Sequence, residues 1–151
     1  MPGAARQYAG GVATSLSTSL AATCPCRVAE EHARSYGRCC APWHAGRADA
    51  SALPQSAEQL MRSRYSAFVL QLADYLLATW HESTRPRSID FDPGVHWLGL
   101  RILSTRAGQE SASRGVVEFE ASYRAADGVG TQHEKSTFVK EDGAWFYLDA
   151  L

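Results

Sequence analysis

The chain has 151 residues, four cysteines and a formal net charge of −1. That length suits one ordinary domain with a small appendage, and an apolar fraction of 45% is normal for a globular protein and too high for a disordered one. A near-neutral chain offers no basic field to hold a nucleic-acid backbone, and no run approaches the roughly 18 apolar residues that cross a bilayer.

Residues 1–23, "MPGAARQYAGGVATSLSTSLAAT", contain no acidic residue, and Ser and Thr repeatedly interrupt their apolar positions. A signal peptide has a denser apolar stretch and a clear small-residue cleavage site. The segment reads as a disordered tail or an over-extended start, with a secretory signal as the alternative. The expected compartment is therefore the cytoplasm, which is reducing.

All four cysteines then fall within seventeen residues, as Cys24-Pro25-Cys26 and Cys39-Cys40. Two thiols one residue apart can bind a single ion, and Pro25 stiffens the turn between them. Four thiolates suit tetrahedral zinc at about 2.3 Å per bond, a closed set with no position left for water or substrate. A fragment this short buries too little apolar surface to fold alone, so a metal would supply the missing stability. Two disulfides are a rival reading, although adjacent Cys39 and Cys40 would have to pair outward or form a strained vicinal bridge. Free, inert thiols are another. His44 is a possible substitute ligand and His32 a weaker one, both read first as surface residues.

Residues 24–46 form this cysteine segment, residues 47–53 ("RADASAL") a linker, and the main domain starts at Pro54. Ser56-Ala57-Glu58-Gln59 is a capping box. Behind it, Met61, Tyr65, Phe68, Leu72 and Leu76 mark one face of an amphipathic helix. Asp74 caps a second helix if the chain bends there. "HESTRPRS" breaks the helical pattern, with Pro86 as the stop. The period then changes to two. Leu98, Leu100 and Ile102 share one side of a strand. In the next, Val117, Phe119, Ala121 and Tyr123 point one way and Glu118, Glu120, Ser122 and Arg124 the other. Asp127-Gly128 makes a hairpin turn into "HEKSTFVK", and Glu141-Asp142-Gly143 turns again into a strand carrying Trp145, Tyr147 and Asp149 on one side. Helices followed by three or four antiparallel strands define an α+β class. A curved sheet wrapped on helices would enclose the large aromatics.

Two parts of the chain together resemble one family. "CPC…SYGRCC" resembles the SEC-C motif, the small zinc-binding module also found at the tail of the SecA translocation ATPase. "LMRSRYSAFVLQLADYLLATWH" and "HEKSTFVKEDGAWFYLD" resemble the YchJ family of uncharacterised bacterial proteins. The likeness runs from Cys24 to the C-terminus. It implies that Cys24, Cys26, Cys39 and Cys40 are zinc ligands. It also implies that residues 54–151 form a cone of helices and curved sheet similar to nuclear transport factor 2. The cysteine spacing departs from the SEC-C pattern, which has Gly-Ser-Gly after the first pair and about eight residues between pairs. Here "RVAEEHARSYGR" supplies twelve residues with one Gly. A helical turn over Ala29–Arg34 and a lower metal affinity are the expected consequences.

Cones of this kind often hold a pocket. Candidate lining residues are Arg62, Arg64, Tyr65, Trp80, His81, Trp97, Tyr123, His133, Glu134, Trp145 and Tyr147, with core formation as the competing role for the aromatics. A buried Arg64 calls for a carboxylate, and Glu134 or Asp149 is at hand. His81 and His133 with Glu134 and Asp149 are a candidate general-base set. No nucleophile elbow, phosphate loop or dinucleotide fingerprint is present. The expected function is a zinc-stabilised binding or adaptor protein whose cysteine module docks a protein partner, as the SecA tail does on a chaperone. The alternatives are a small-molecule binder or enzyme using the cone pocket, and weak nucleic-acid contact through Arg34, Arg38 and Arg47.

Overall fold

A computed structural model describes residues 18–151, so most of the expected tail lies outside the described residues. Three helices, α1 (Ala41–Gly46), α2 (Ala57–Leu70) and α3 (Ala73–Ala78), precede four strands. These are β1 (His96–Ala107), β2 (Arg114–Ala125), β3 (Gly128–Glu141) and β4 (Ala144–Ala150), paired antiparallel in the order β1-β2-β3-β4. This is the expected α+β class, a cone of helices against one sheet. Among the described residues no helix is long and apolar enough to cross a membrane.

The capping box forms with a small shift. Ser56 Oγ accepts from the Gln59 N–H at 3.1 Å, and Gln59 Oε1 accepts from the N–H of Gln55, one residue before the cap. The helix stops at Gln71, which takes a left-handed conformation at φ 58°, while the Leu72 N–H closes on the Ala67 carbonyl at 2.8 Å. A new helix, α3, then starts with Asp74 in its first turn rather than at its cap.

Helix α2 is not one-sided. Beside Leu60, Met61, Tyr65 and Phe68 it also buries Arg62, Ser63, Arg64 and Ser66. Its second face is covered by the cysteine segment, and all four cysteines belong to the same buried cluster as Phe119, Phe138 and Trp145. A helix covered on both sides loses the polar stripe by which amphipathicity is normally read.

The buried faces of β2 and β4 follow the expected alternation, while the register slips at three places, two in β1 and one between Thr137 and Phe138. Val117, Phe119 and Ala121 are buried, and Trp145 and Tyr147 face the same core from β4. In β1 the register slips between Trp97 and Gly99. The extra residue turns Leu98 outward, 41% exposed, and brings Trp97 into phase with the buried Leu100. Leu98 therefore does not share a side with Leu100 and Ile102. The β2–β3 turn is built from Ala126 and Asp127, with Ala125 paired to Gly128, one residue earlier than the Asp127-Gly128 dipeptide suggests. The β3–β4 turn has Asp142 at φ 52° and Gly143 at φ 80° between paired Glu141 and Ala144, the two left-handed positions that a two-residue hairpin of this twist requires.

Candidate metal centre

Each cysteine pair sits where the backbone changes direction. Cys24 precedes a single 3-10 turn, Pro25–Arg27, that Pro25 pre-sets and the Arg27 N–H closes on the Cys24 carbonyl at 2.9 Å. Cys39 follows a second such turn, Tyr36–Arg38, and Cys40 precedes α1. Pairing of the two limbs brings these corners together. Cys24 N–H donates to the Arg34 carbonyl, Tyr36 N–H to the Ala22 carbonyl and Gly37 N–H to the Leu20 carbonyl, at 2.8–2.9 Å. That pairing begins at Leu20, inside the segment read as tail. No helical turn forms over Ala29–Arg34, which runs through turns and bends. Within it, the Glu30 N–H closes a turn on the Arg27 carbonyl at 3.2 Å, and the Arg34 carbonyl accepts from Cys24.

The four Sγ atoms all lie within 4.8 Å of one another. Cys26 Sγ is 3.7 Å from Cys24 Sγ, 3.5 Å from Cys39 Sγ and 3.7 Å from Cys40 Sγ, and Cys39 and Cys40 are 4.0 Å apart. A tetrahedron with metal–sulfur bonds of about 2.3 Å has edges of about 3.8 Å, so the tetrad fits a four-coordinate ion. All four are free thiols, which removes the disulfide reading. Burial is deep: Cys24 and Cys26 are 0% exposed, Cys40 1% and Cys39 8%. Hydrogen bonding with Cys26 brings the Cys24 thiol down to about 6, and hydrogen bonds from Cys24, Cys26 and Cys40 also hold Cys39 low. The same contacts, chiefly with Cys24, raise Cys26 and Cys40. A thiol must lose its proton to ligate.

Helix α2 supplies the floor. Ser66 Oγ donates to Cys40 Sγ at 3.4 Å and lies 3.5 Å from Cys24 Sγ. Arg62 Nη1 donates to the Cys26 carbonyl at 3.2 Å and to Glu30 Oε1 at 2.5 Å, and its Nε donates to Glu58 Oε2 at 3.0 Å. Burial opposes Glu30 ionisation, but the hydrogen bond and charge of Arg62 outweigh it and hold the carboxyl below its usual range. Outer partners of this kind orient ligands and tune the metal. Sequence reasoning missed Ser66 and Glu30. The available signal was the run of short polar side chains, Ser63 and Ser66, inside a helix otherwise rich in large residues.

His44 is neither a ligand nor a surface residue. Its Nε2 donates to the Ser63 carbonyl at 2.8 Å, so Nδ1 accepts from the Tyr36 hydroxyl at 2.6 Å. With both nitrogens engaged it has none for a metal, and burial lowers its pKa. His32 is exposed. Arg47 also differs from expectation: it donates to the Trp145 and Ala78 carbonyls and lies 4.9 Å over the Phe146 ring, tying the segment after α1 to the cone.

The other candidates fall into separate groups: Arg64 with Trp80 and Tyr147, Trp97 with Tyr65 and Tyr123, and the two histidines apart from both. Arg64, Tyr65, Trp80, Trp145 and Tyr147 are buried. Arg64 is met by the Leu76 carbonyl at 2.8 Å, the Thr79 hydroxyl at 2.7 Å and the ring faces of Trp80 and Tyr147, rather than by Glu134 or Asp149. Burial pushes its pKa down to about 10, which leaves it charged at neutral pH. Trp97 packs edge-on against Tyr65 and Tyr123. It also lines a recess of about 260 Å³ with Phe68, Phe91 and His96. His81 binds Ser83 and Glu141 beside Phe146, whereas His133 binds Glu118 at 2.6 Å and is exposed. Glu134, bonded to Gln132, projects from β3 to the face opposite His133, as the period of two dictates. The Asp149 carboxylate accepts from Thr137. The histidines and carboxylates of the expected general-base set thus have separate partners.

Comparison with known proteins agrees with this architecture. Residues 56–150 match the family model for the YchJ middle domain, which is similar to nuclear transport factor 2. A UPF0225 protein of Streptomyces coelicolor is 49% identical over 126 residues, 83% of this chain and 92% of its own length. One from Polaromonas naphthalenivorans is 46% identical over 134 residues, 83% of this chain and 94% of its own. A crystal structure of a SEC-C motif containing protein from Psychrobacter arcticus superposes with a TM-score of 0.70 at 32% identity, covering 84% of this chain and 80% of that one. The solution structure of another, from Rhodopseudomonas palustris, gives 0.65 at 29% identity, covering 80% and 94%. With a buried four-cysteine tetrad seated on a cone that matches along its whole length, the chain belongs to the YchJ (UPF0225) family.

Proposed function

We infer that this is a zinc-stabilised binding or adaptor protein, in which the metal is structural and the cysteine segment presents a docking surface to a protein partner in the cytoplasm. The observation that carries the reading is the closed tetrad: four buried thiols at tetrahedral separations, with Ser66 and Arg62 behind them. Thiolate ligands favour zinc over hard cations, and a set of four leaves no open position for a reacting molecule. Exposed Val28, Glu31, His32, Ala33 and Arg34 form the outer surface of the segment that the ion would hold in shape.

Metal analysis with a thiol count before and after chelation tests the first half. One zinc per chain with four protected thiols is expected, and four titratable thiols with no metal would overturn it. Partner capture with wild type and Cys39→Ser tests the second half. Retrieval of the same partners by both would count against metal-dependent docking. A ligand-binding cone is the second reading, favoured by the recess beside Trp97. Against it, Trp145, Phe119 and Tyr65 fill the interior of the cone.

A further inference from the structure

The segment between the cysteine pairs meets the open edge of the sheet at Ala29 and Glu30. Strand β1 is an edge strand, with β2 on one side only. Ala29 presses on it at Gly99, where any Cβ would stand 2.5 Å from the Ala29 methyl. Three residues on, the edge N–H of Ile102 donates to Glu30 Oε2 at 3.3 Å. The other Glu30 oxygen accepts from Arg62, and Arg62 donates to the carbonyl of the ligand Cys26. A continuous chain of hydrogen bonds thus runs from Cys26 through Arg62 and Glu30 to the backbone of β1. The segment that makes it has neither helix nor strand between Val28 and Arg34, and Val28 is 59% exposed. Its ends are held by the cysteines and by backbone pairing at Arg34, and toward β1 it is held by Ala29 and Glu30.

We propose that Glu30 is a positioning residue that ties the metal centre to the sheet, so that a loaded tetrad keeps residues 27–34 clamped over β1 and a released one uncovers the edge from Gly99 to Ile102. The proposal rests on the zinc reading above. Glu30 stands only four residues after Cys26, so the carboxylate that meets β1 is carried by the first turns of the connection. An uncovered edge offers unpaired backbone donors and acceptors, the form of surface that recruits another strand.

The test is amide hydrogen exchange of the full chain, with zinc as the probe, read in peptides spanning 96–107. In zinc-loaded wild type the 99–102 region is protected. Removing zinc with a chelator under reducing conditions raises its exchange at least tenfold, while the central β2 and β3 amides change little. Glu30→Ala gives the same opening with zinc still bound and speeds zinc transfer to a chelator. Glu30→Gln, which keeps an acceptor for Ile102 but loses the charge facing Arg62, restores part of the protection. Should Glu30→Ala fail to fold, Glu30→Gln and the wild-type chelation experiment decide. Zinc loss without any change at 99–102, or Glu30 variants that match wild type in both measurements, overturns the clamp and leaves the zinc reading standing. A chain that takes up no zinc overturns both.

Discussion

The cysteine segment and the cone share one buried cluster but are held by different forces. The cone closes on large apolar side chains: Trp145, Phe119, Tyr65 and Phe138 are each at most 1% exposed. Burying side chains of that size contributes about 2–3 kcal/mol apiece. The segment before it contributes little to the core besides its four cysteines and half-buried Tyr36 and Trp43. What gathers it is backbone pairing of its two limbs, sulfur geometry and a few charged or polar contacts to α2. The seam between the regions is polar on the helix side, with Arg62, Ser63 and Ser66 where a self-sufficient cone would be solvated. A small fragment can be made part of a domain when the domain lends it a second coordination layer.

The largest expected break in this comparison is metal removal. Apparent zinc-binding free energies in small thiolate sites are on the order of 10 kcal/mol at neutral pH. Chelation, or Cys26→Ser, should therefore lower the melting temperature by about 10 °C or more, with the loss concentrated in residues 18–46. Differential scanning calorimetry with and without chelator measures it, and an unchanged melt would mean that the tetrad holds nothing together. Next comes the cone itself. Trp145→Ala should cost about 3–5 kcal/mol in urea unfolding, and cost it equally with and without zinc. Unequal costs would show that the two regions are energetically one.

At the seam, Ser66→Ala removes the hydroxyl beside Cys40 and Cys24. Zinc affinity is expected to fall about 10- to 100-fold in competition with a chromogenic chelator. Metal-free stability should stay within about 1 kcal/mol of wild type. A large metal-free loss with unchanged affinity would make Ser66 a packing residue only. The smallest effect belongs to the outer face of the sheet. His133, and then Ser104, hydrogen-bond Glu118 and hold its pKa below the usual carboxylate value. A depressed carboxyl contributes stability above its unfolded pKa and loses it as pH falls through the folded value. Wild type should therefore lose more of its urea midpoint than Glu118→Gln as pH drops from about 5 to about 3, a modest difference at so exposed a site. A parallel fall in both proteins would remove the contribution.

Much of the cone was legible because its periods are long and clean. The alternation in β2 survives intact, and the left-handed turn chemistry of Asp142-Gly143 closes β3 on β4 as written. Legibility ended wherever a third element intervened. Leu98 left its expected face because a bulge adds a residue beside Gly99, where Ala29 also closes on the strand. Arg64 found a carbonyl, a hydroxyl and two ring faces in place of a carboxylate, since α3 and β4 bring those groups closer than any acid. His81 and His133 look like partners by residue type, but His81 stands in the loop after α3 beside Glu141 and His133 on β3 beside Glu118. His44 looked like a surface residue or a spare ligand, yet Tyr36 and Ser63 occupy both of its nitrogens.

The linear chain by itself pointed to a four-thiol site, because a one-residue spacer and an adjacent pair each present two sulfurs to one ion, and it left disulfides and inert thiols as rivals. It indicated the α+β class too, through helical periods followed by alternating strands. Tertiary structure decided what stands behind the sulfurs. Ser66 and Arg62 reach the tetrad across 26 and 36 residues of chain, from Cys40 and Cys26 respectively, and Glu30 reaches Ile102 across 72. Contacts at such separations depend on how helix and sheet close around each other, and the short polar side chains of α2 hint at a covered face without saying what covers it.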